Sequence, residues 1–111
     1  MEIKNIEYKH CDLVAVSGRI DSATAPQFSE NLNRINEKGR FKIVVDFTDV
    51  PFISSAGLRV LVNAQKNCKR FNRGEVVLAN VPPNIKSALE LAGFTLLFRI
   101  FDDTLTAVGN F

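Results

Sequence analysis

Two adjacent hydroxyls, Ser54 and Ser55, stand where a short apolar strand pattern gives way to a helical one, and the small residues Ala56 and Gly57 follow them. A serine at such a junction has three chemical uses. It can cap the helix, because its oxygen accepts from one of the N–H groups that the first turn leaves free. It can act as a nucleophile, if a base reaches it. It can take a phosphoryl group, which the free N–H groups and the helix dipole favour. Capping is the commonest use and suits Ser54 or Ser55 equally. The nucleophile elbow needs glycine two residues before the serine and two after. Ser55 has Gly57 after it but Ile53 before it, and the chain's only histidine, His10, falls in an N-terminal turn. A modifiable serine needs exposure beside small residues, so that another protein's active site can approach, and Ala56 and Gly57 meet that need. A glycine so early in a helix costs about 1 kcal/mol relative to alanine, which points to a close backbone approach or tight packing on the sheet.

The remaining candidates for chemistry are weaker. Asp21, Asp46 and Asp49 each follow a strand pattern, so they can gather at one end of a sheet, but acids in such loops usually make turns, caps and ion pairs. Cys11 and Cys68 match no metal spacing. With no export signal, both read as reduced, buried cytosolic thiols. There is no glycine-rich phosphate loop. Neither a metal nor a cofactor is expected.

The composition fits one packed domain. The chain has 111 residues, 46% of them hydrophobic and 23% charged, with nine Phe, one Tyr and no Trp. That supports a core and leaves no room for a second domain. A formal net charge of only +2 argues against a general polyanion binder. No apolar run approaches the roughly 20 residues of a membrane span.

The elements that must position the serines follow in order. Glu2 to His10 is an imperfect alternating strand, and Cys11 to Ser17 a second, joined by a turn at His10-Cys11-Asp12 into a hairpin. A helix follows, capped by Ser22 or Thr24, with Pro26 in its first turn, Phe28, Leu32 and Ile35 on one stripe, and Gly39 at its end. Phe41 to Phe47 is the strongest strand, apolar enough to be central. Ser55 to about Arg73 reads as a helix with Leu58, Leu61, Val62, Cys68 and Phe71 inward and Arg59, Lys66, Lys69, Arg70 and Arg73 outward. Glu75 to Asn80 is a strand. Ile85 to Ala92 is a short helix with Asn84 as its cap and Ile85, Leu89 and Ala92 inward. A last strand lies near Phe98 to Phe101, and Asp102 or Asp103 caps a terminal helical turn. This order predicts an α/β domain with a mixed four- to five-stranded sheet, an antiparallel edge hairpin, and helices packed mainly on one face.

The chain resembles the bacterial anti-sigma factor antagonists, single-domain members of the STAS family, over nearly its whole length. The residues that carry the resemblance are Ile43-Val44-Val45-Asp46-Phe47-Thr48-Asp49-Val50, then Ile53-Ser54-Ser55-Ala56-Gly57-Leu58, with Gly18-Arg19-Ile20-Asp21 before the first helix. The resemblance implies one STAS domain over residues 1–111. Aligned on Gly57-Leu58, Ser55 falls on the family's phospho-acceptor serine, and Ser54, the runner-up acceptor, falls where the family usually has Asp. Asp21 falls on an acidic loop residue near the acceptor. Partner contact is then expected at Asp21, Ser54, Ser55, Ala56, Gly57 and Arg59.

What the resemblance implies is binding, not catalysis. The unphosphorylated domain would bind an anti-sigma factor that is also a serine kinase and so free a sigma factor. The kinase, using its own bound ATP, would phosphorylate the serine and be released, and a serine phosphatase would reset the cycle. A cytoplasmic monomer with no nucleic-acid or membrane partner suits that role. The alternative is a STAS domain serving another assembly, such as a lipid-transport ATPase complex or a signalling complex, without phosphorylation.

Overall fold

The computed structural model describes residues 1–111. Five strands form one sheet in the order β1 (Glu2–Glu7), β2 (Asp12–Ser17), β3 (Lys42–Asp49), β4 (Glu75–Ala79), β5 (Ile100–Phe101). β1 and β2 are antiparallel, and every later pairing is parallel. The helices are α1 (Ala25–Glu37), α2 (Ser55–Lys69), α3 (Pro83–Leu91) and α4 (Thr104–Gly109). The main core joins Ile43, Val45 and Phe47 of β3 to the inward residues of α1, α2 and α3. Val44 of β3 points the other way, into a smaller cluster with Leu13, Val77 and Ala107 of α4. The central strand is therefore covered on both faces, and three of the four helices lie on one of them. No helix is long and apolar enough to cross a membrane.

The helices form for different reasons. Phe28, Leu32 and Ile35 are buried on one stripe of α1, and Pro26 lies in its first turn. Thr24 occupies the N-cap position without a side-chain cap bond, and Ser22 does not cap at all. Burying Phe28 and Leu32 contributes about 1.5–3 kcal/mol each, more than the roughly 1 kcal/mol that a cap supplies. Gly39 closes the helix at φ +78°. α4 is the converse case. It is short, and Asp103 holds its first turn by accepting from the Thr106 N–H at 2.7 Å. These backbone and side-chain hydrogen bonds from Thr106 keep the Asp103 carboxyl below its usual range.

Four expectations need correction. The helix from Ser55 does not run to Arg73. It stops at Lys69, and a 3-10 turn over Arg70–Asn72 follows. Phe71 and Asn72 both have left-handed backbones, with φ of 59° and 56°. This swings Phe71 out of the apolar stripe, leaving it 78% exposed. Asn84 does not cap α3, whose N-cap position is Pro82. Its amide instead donates to the Pro51 carbonyl at 2.8 Å. Ala92 lies beyond the end of α3 and is exposed. The first hairpin is as expected in kind, but its turn spans residues 8–11, not His10-Cys11-Asp12, with Tyr8 N–H donating to the Cys11 carbonyl at 2.8 Å and β2 starting at Asp12.

Cys11 and Cys68 are buried and unpaired. Burial pushes both thiols above their ordinary range.

One buried polar residue holds α2 to the sheet. Gln65 accepts from the Val76 N–H at 2.6 Å and donates to the carbonyls of Val76 at 3.0 Å and Leu97 at 2.6 Å. It lies on the inward stripe with Leu58, Leu61 and Cys68. Gln65→Leu would strand the buried N–H and carbonyl of Val76 and leave the Leu97 carbonyl without this donor. We expect a loss of about 2–4 kcal/mol, from unmade bonds costing about 1–3 kcal/mol each less some gain in apolar burial. Urea unfolding measures it.

Candidate functional site

The parallel strands β2, β3 and β4 all end at the same edge of the sheet, and the loops leaving them are stitched together there. Between Ala15 and Ser17 the register of β2 against β3 slips, so that Ser17 pairs with Asp49. The two loops then continue side by side. Gly18 N–H donates to the Asp49 carbonyl and Ile20 N–H to the Phe52 carbonyl, each at 2.9 Å, and Ser54 N–H donates back to the Ile20 carbonyl at 2.8 Å. Ile20 and Ile53 form an isolated parallel bridge. Both are buried. The Arg19 guanidinium sits 4.4 Å from the Phe52 ring centre, closing the outer side. The bond from Asn84 to Pro51 adds the loop after β4. Asp21 and Ser54, 33 positions apart in sequence, thus become neighbours across a two-strand stitch.

The two hydroxyls have separate roles. Ser54 is the N-cap of α2, in extended conformation, and its oxygen accepts from the Gly57 N–H at 3.3 Å. Ser55 is the first helical residue and is exposed, whereas Ser54 is half-buried. The first bond of the helix runs from Leu58 N–H to the Ser54 carbonyl at 3.0 Å, so the amides of Ser55 and Ala56 precede the helical ladder. Serine and aspartate are the strongest caps. Ser54 in place of an aspartate therefore keeps the cap and removes one negative charge beside Ser55. Ser54→Ala is expected to cost about 1 kcal/mol of stability, read as a lower urea midpoint, and to leave the Ser55 hydroxyl as accessible as before.

Ala56 and Arg59 line an open groove of about 290 Å3 between α1 and α2, opposite Ser22, Pro26 and Ser29. Gly57 faces the other way. A Cβ there would meet Ile20 Cγ2 and Ile53 Cγ1 at 2.7 Å each. The glycine is required by packing, and it lies beneath the surface instead of on it. Asp21 is folded into its own turn. Its carboxylate accepts from the N–H groups of Ala23 at 3.0 Å and Thr24 at 3.1 Å, with Arg19 at 3.9 Å. The hydrogen bond from Thr24 is the main reason its carboxyl is held below the ordinary range.

The three acids do not all gather: Asp46 and Asp49 line one pocket together with Glu2, and Asp21 stands apart. Asp46 accepts from Thr48 Oγ1 at 2.6 Å and from Asn80 Nδ2 at 3.1 Å, while Asp21 is turned to its own loop. His10 is at the far end of the molecule. It lies in the turn before β2, whereas Ser55 follows the end of the parallel strand β3. The six residues of β2 put about 20 Å between those ends at roughly 3.3 Å per residue. No serine–histidine pair can form.

The contacts that Ile20, Ile53 and Phe52 make across the two loops, and the groove that α1 forms with α2, are not foreseen from the sequence. The one available signal was Gly18-Arg19-Ile20-Asp21, whose isoleucine proves to be the hub of the stitch.

The STAS domain family model matches residues 2–107. An anti-sigma-B factor antagonist of Listeria monocytogenes is 31% identical over 100 residues, covering 90% of this chain and 86% of that protein. The structures of the anti-sigma factor antagonist SpoIIAA of Bacillus are similar in both its unphosphorylated and phosphorylated forms. Each has a TM-score of 0.77, with 14% and 13% identity over 98% of this chain and 96% and 98% of SpoIIAA. A sulfate transporter family protein from Wolinella succinogenes has a TM-score of 0.80 at 20% identity, over 95% of this chain and 87% of that one. Likeness at such low identity carries the fold alone.

Proposed function

The chain belongs to the STAS domain family, and on that premise we propose that it is an anti-sigma factor antagonist switched by phosphorylation of Ser55. In its unphosphorylated form it binds an anti-sigma factor that is also a serine kinase, and a sigma factor is freed. The kinase transfers the γ-phosphoryl group of its ATP to Ser55, and the modified surface lets go. A serine phosphatase restores the hydroxyl. The domain itself performs no chemistry; it presents a hydroxyl and a docking surface around Asp21, Ser54, Ala56 and Arg59.

The observation that carries this reading is the division of labour between the serines. Ser54 is committed to the cap, and Ser55 is left exposed at the first position of α2. A phosphate there adds about −1.5 to −2 charge. The positive end of the helix dipole and the free amides tolerate it, so the fold can stay intact. What changes is the surface, where Asp21 and the exposed Asp49 are already negative.

The test is to incubate the protein with each candidate anti-sigma kinase and ATP, then map the modified residue by mass spectrometry. Phosphate on Ser55, absent from the Ser55→Ala variant, is the expected result. Phosphate on Ser54 would move the switch by one residue. No phosphate from any kinase, with tight binding to a transporter subunit, would replace the switch with a constitutive module. Labelling of Ser55 by a fluorophosphonate would instead require a nucleophile.

A further inference from the structure

We propose that the end of the sheet opposite Ser55 holds a pocket for a small polyphosphate, a ligand carrying two or more adjacent phosphate groups. A cavity of about 270 Å3 lies where the β1–β2 turn, the α1–β3 connection and the turn after α2 meet. Four of its lining side chains are cations, Lys9, Arg40, Lys42 and Arg73, against the single acid Asp12.

Half of that positive charge already has structural work. The Arg40 guanidinium is paired with Asp12, stands 3.6 Å from Glu7, and donates to the carbonyls of Tyr8 at 2.5 Å and Cys11 at 3.2 Å. Arg73 lies 3.8 Å from the Phe41 ring centre and donates to the carbonyls of Asn67 at 2.7 Å and Arg70 at 3.0 Å. It thereby covers the negative end of α2. Lys9 and Lys42 are different. Both are exposed, neither forms an ion pair, and neither lies in a helix whose dipole it would offset.

Lysines on a convex surface need no ligand to explain them. These two flank a concavity whose other walls are fixed by the Arg40 and Arg73 contacts, so an entering anion would order little besides the lysine side chains. A monovalent ion would gain little there against screening by salt. Adjacent phosphates can engage both ammonium groups and the free guanidinium edges together. Lys69, exposed and lining the neighbouring pocket that Lys42 shares, adds to the attracting field. The pocket is separated from Ser55 by the 15 residues of α2, about 22 Å at roughly 1.5 Å per residue. It is therefore a second site and not part of the first.

Titration of 15N-labelled protein with inorganic pyrophosphate at constant ionic strength tests the assignment. Saturable shifts are expected at residues 9–12, 39–42 and 73, with the amides of residues 54–57 unmoved. The double variant Lys9→Ala/Lys42→Ala is expected to bind about tenfold more weakly or worse, while keeping a dispersed spectrum. A parallel titration with ADP separates the sources: tighter binding than pyrophosphate assigns a nucleotide, and equal binding assigns the phosphate chain alone. Equal shifts with sodium chloride at matched ionic strength, or wild-type affinity in the double variant, would overturn the pocket. Neither result bears on phosphorylation of Ser55.

Discussion

Ser55→Glu is expected to weaken binding to the anti-sigma kinase by about 100-fold or more, while Ser55→Ala binds like the wild type and is not released when ATP is added. The size follows from placing a charge where the unmodified surface has a neutral hydroxyl. A charge left buried and unpaired in an interface costs about 2–5 kcal/mol, and about 2.7 kcal/mol is already a factor of about 100. Glutamate carries less charge than a phosphoserine and fewer acceptor oxygens, so the variant sets a lower bound on the effect of phosphorylation. Neither substitution should disturb the fold. Ser55 is exposed and is not the cap, and an acidic side chain in a first helical turn is stabilising by about 0.3–1 kcal/mol. Urea unfolding should therefore give midpoints equal to or slightly above the wild type for Ser55→Glu. Backbone spectra recorded before and after phosphorylation should keep their dispersion, with shifts confined to the two stitched loops and the start of α2. Unchanged affinity in Ser55→Glu would remove the switch, and loss of dispersion would mean that phosphate acts by unfolding.

The sequence alone carried the strand, the junction and the helix around that serine, because each rests on local chemistry. Ile43, Val45 and Phe47 alternate toward one core, and Leu58, Leu61 and Cys68 recur at helical spacing. Local chemistry left Ser54 and Ser55 equal as caps, since the choice depends on where α2 begins to a single residue; only the alignment on Gly57-Leu58 favoured Ser55 as the acceptor. That boundary is set by Ile20, whose carbonyl takes the Ser54 N–H, a contact spanning 34 positions. Phe71 failed for a related reason. Its spacing suits the buried stripe of α2, but the chain must turn back toward β4 after Lys69, and two left-handed residues make that turn. Tertiary constraint overrode a local pattern. Asn84 likewise had a plausible local use as a cap and a stronger distant one in the Pro51 carbonyl.

The second large effect is expected at Gly57. Gly57→Val should destabilise the domain by about 2–3 kcal/mol and slow phosphorylation of Ser55 by the kinase about tenfold. Two terms oppose each other at this position. Replacing a glycine inside a helix gains up to about 1 kcal/mol of propensity for alanine, and less for a β-branched residue. Against that, the new Cβ would stand 2.7 Å from both Ile20 Cγ2 and Ile53 Cγ1, where carbon atoms settle at about 3.5–4.0 Å. Neither isoleucine can retreat. Both are buried, and they belong to the bridge that joins the two loops. The strain is relieved only if the first turn of α2 lifts, which lengthens the bond from Ser54 N–H to the Ile20 carbonyl and displaces Ser55 from Asp21. Stability and site geometry should therefore fail together. Gly57→Ala should fall between, since its helix propensity offsets part of the clash and it adds no γ carbons. Lower urea midpoints in the order Gly, Ala, Val, with phosphorylation rates in the same order, are the expected series. A valine variant as stable as the wild type would show that the glycine is not there for packing. A destabilised variant phosphorylated at the normal rate would show that the kinase does not read the position of α2.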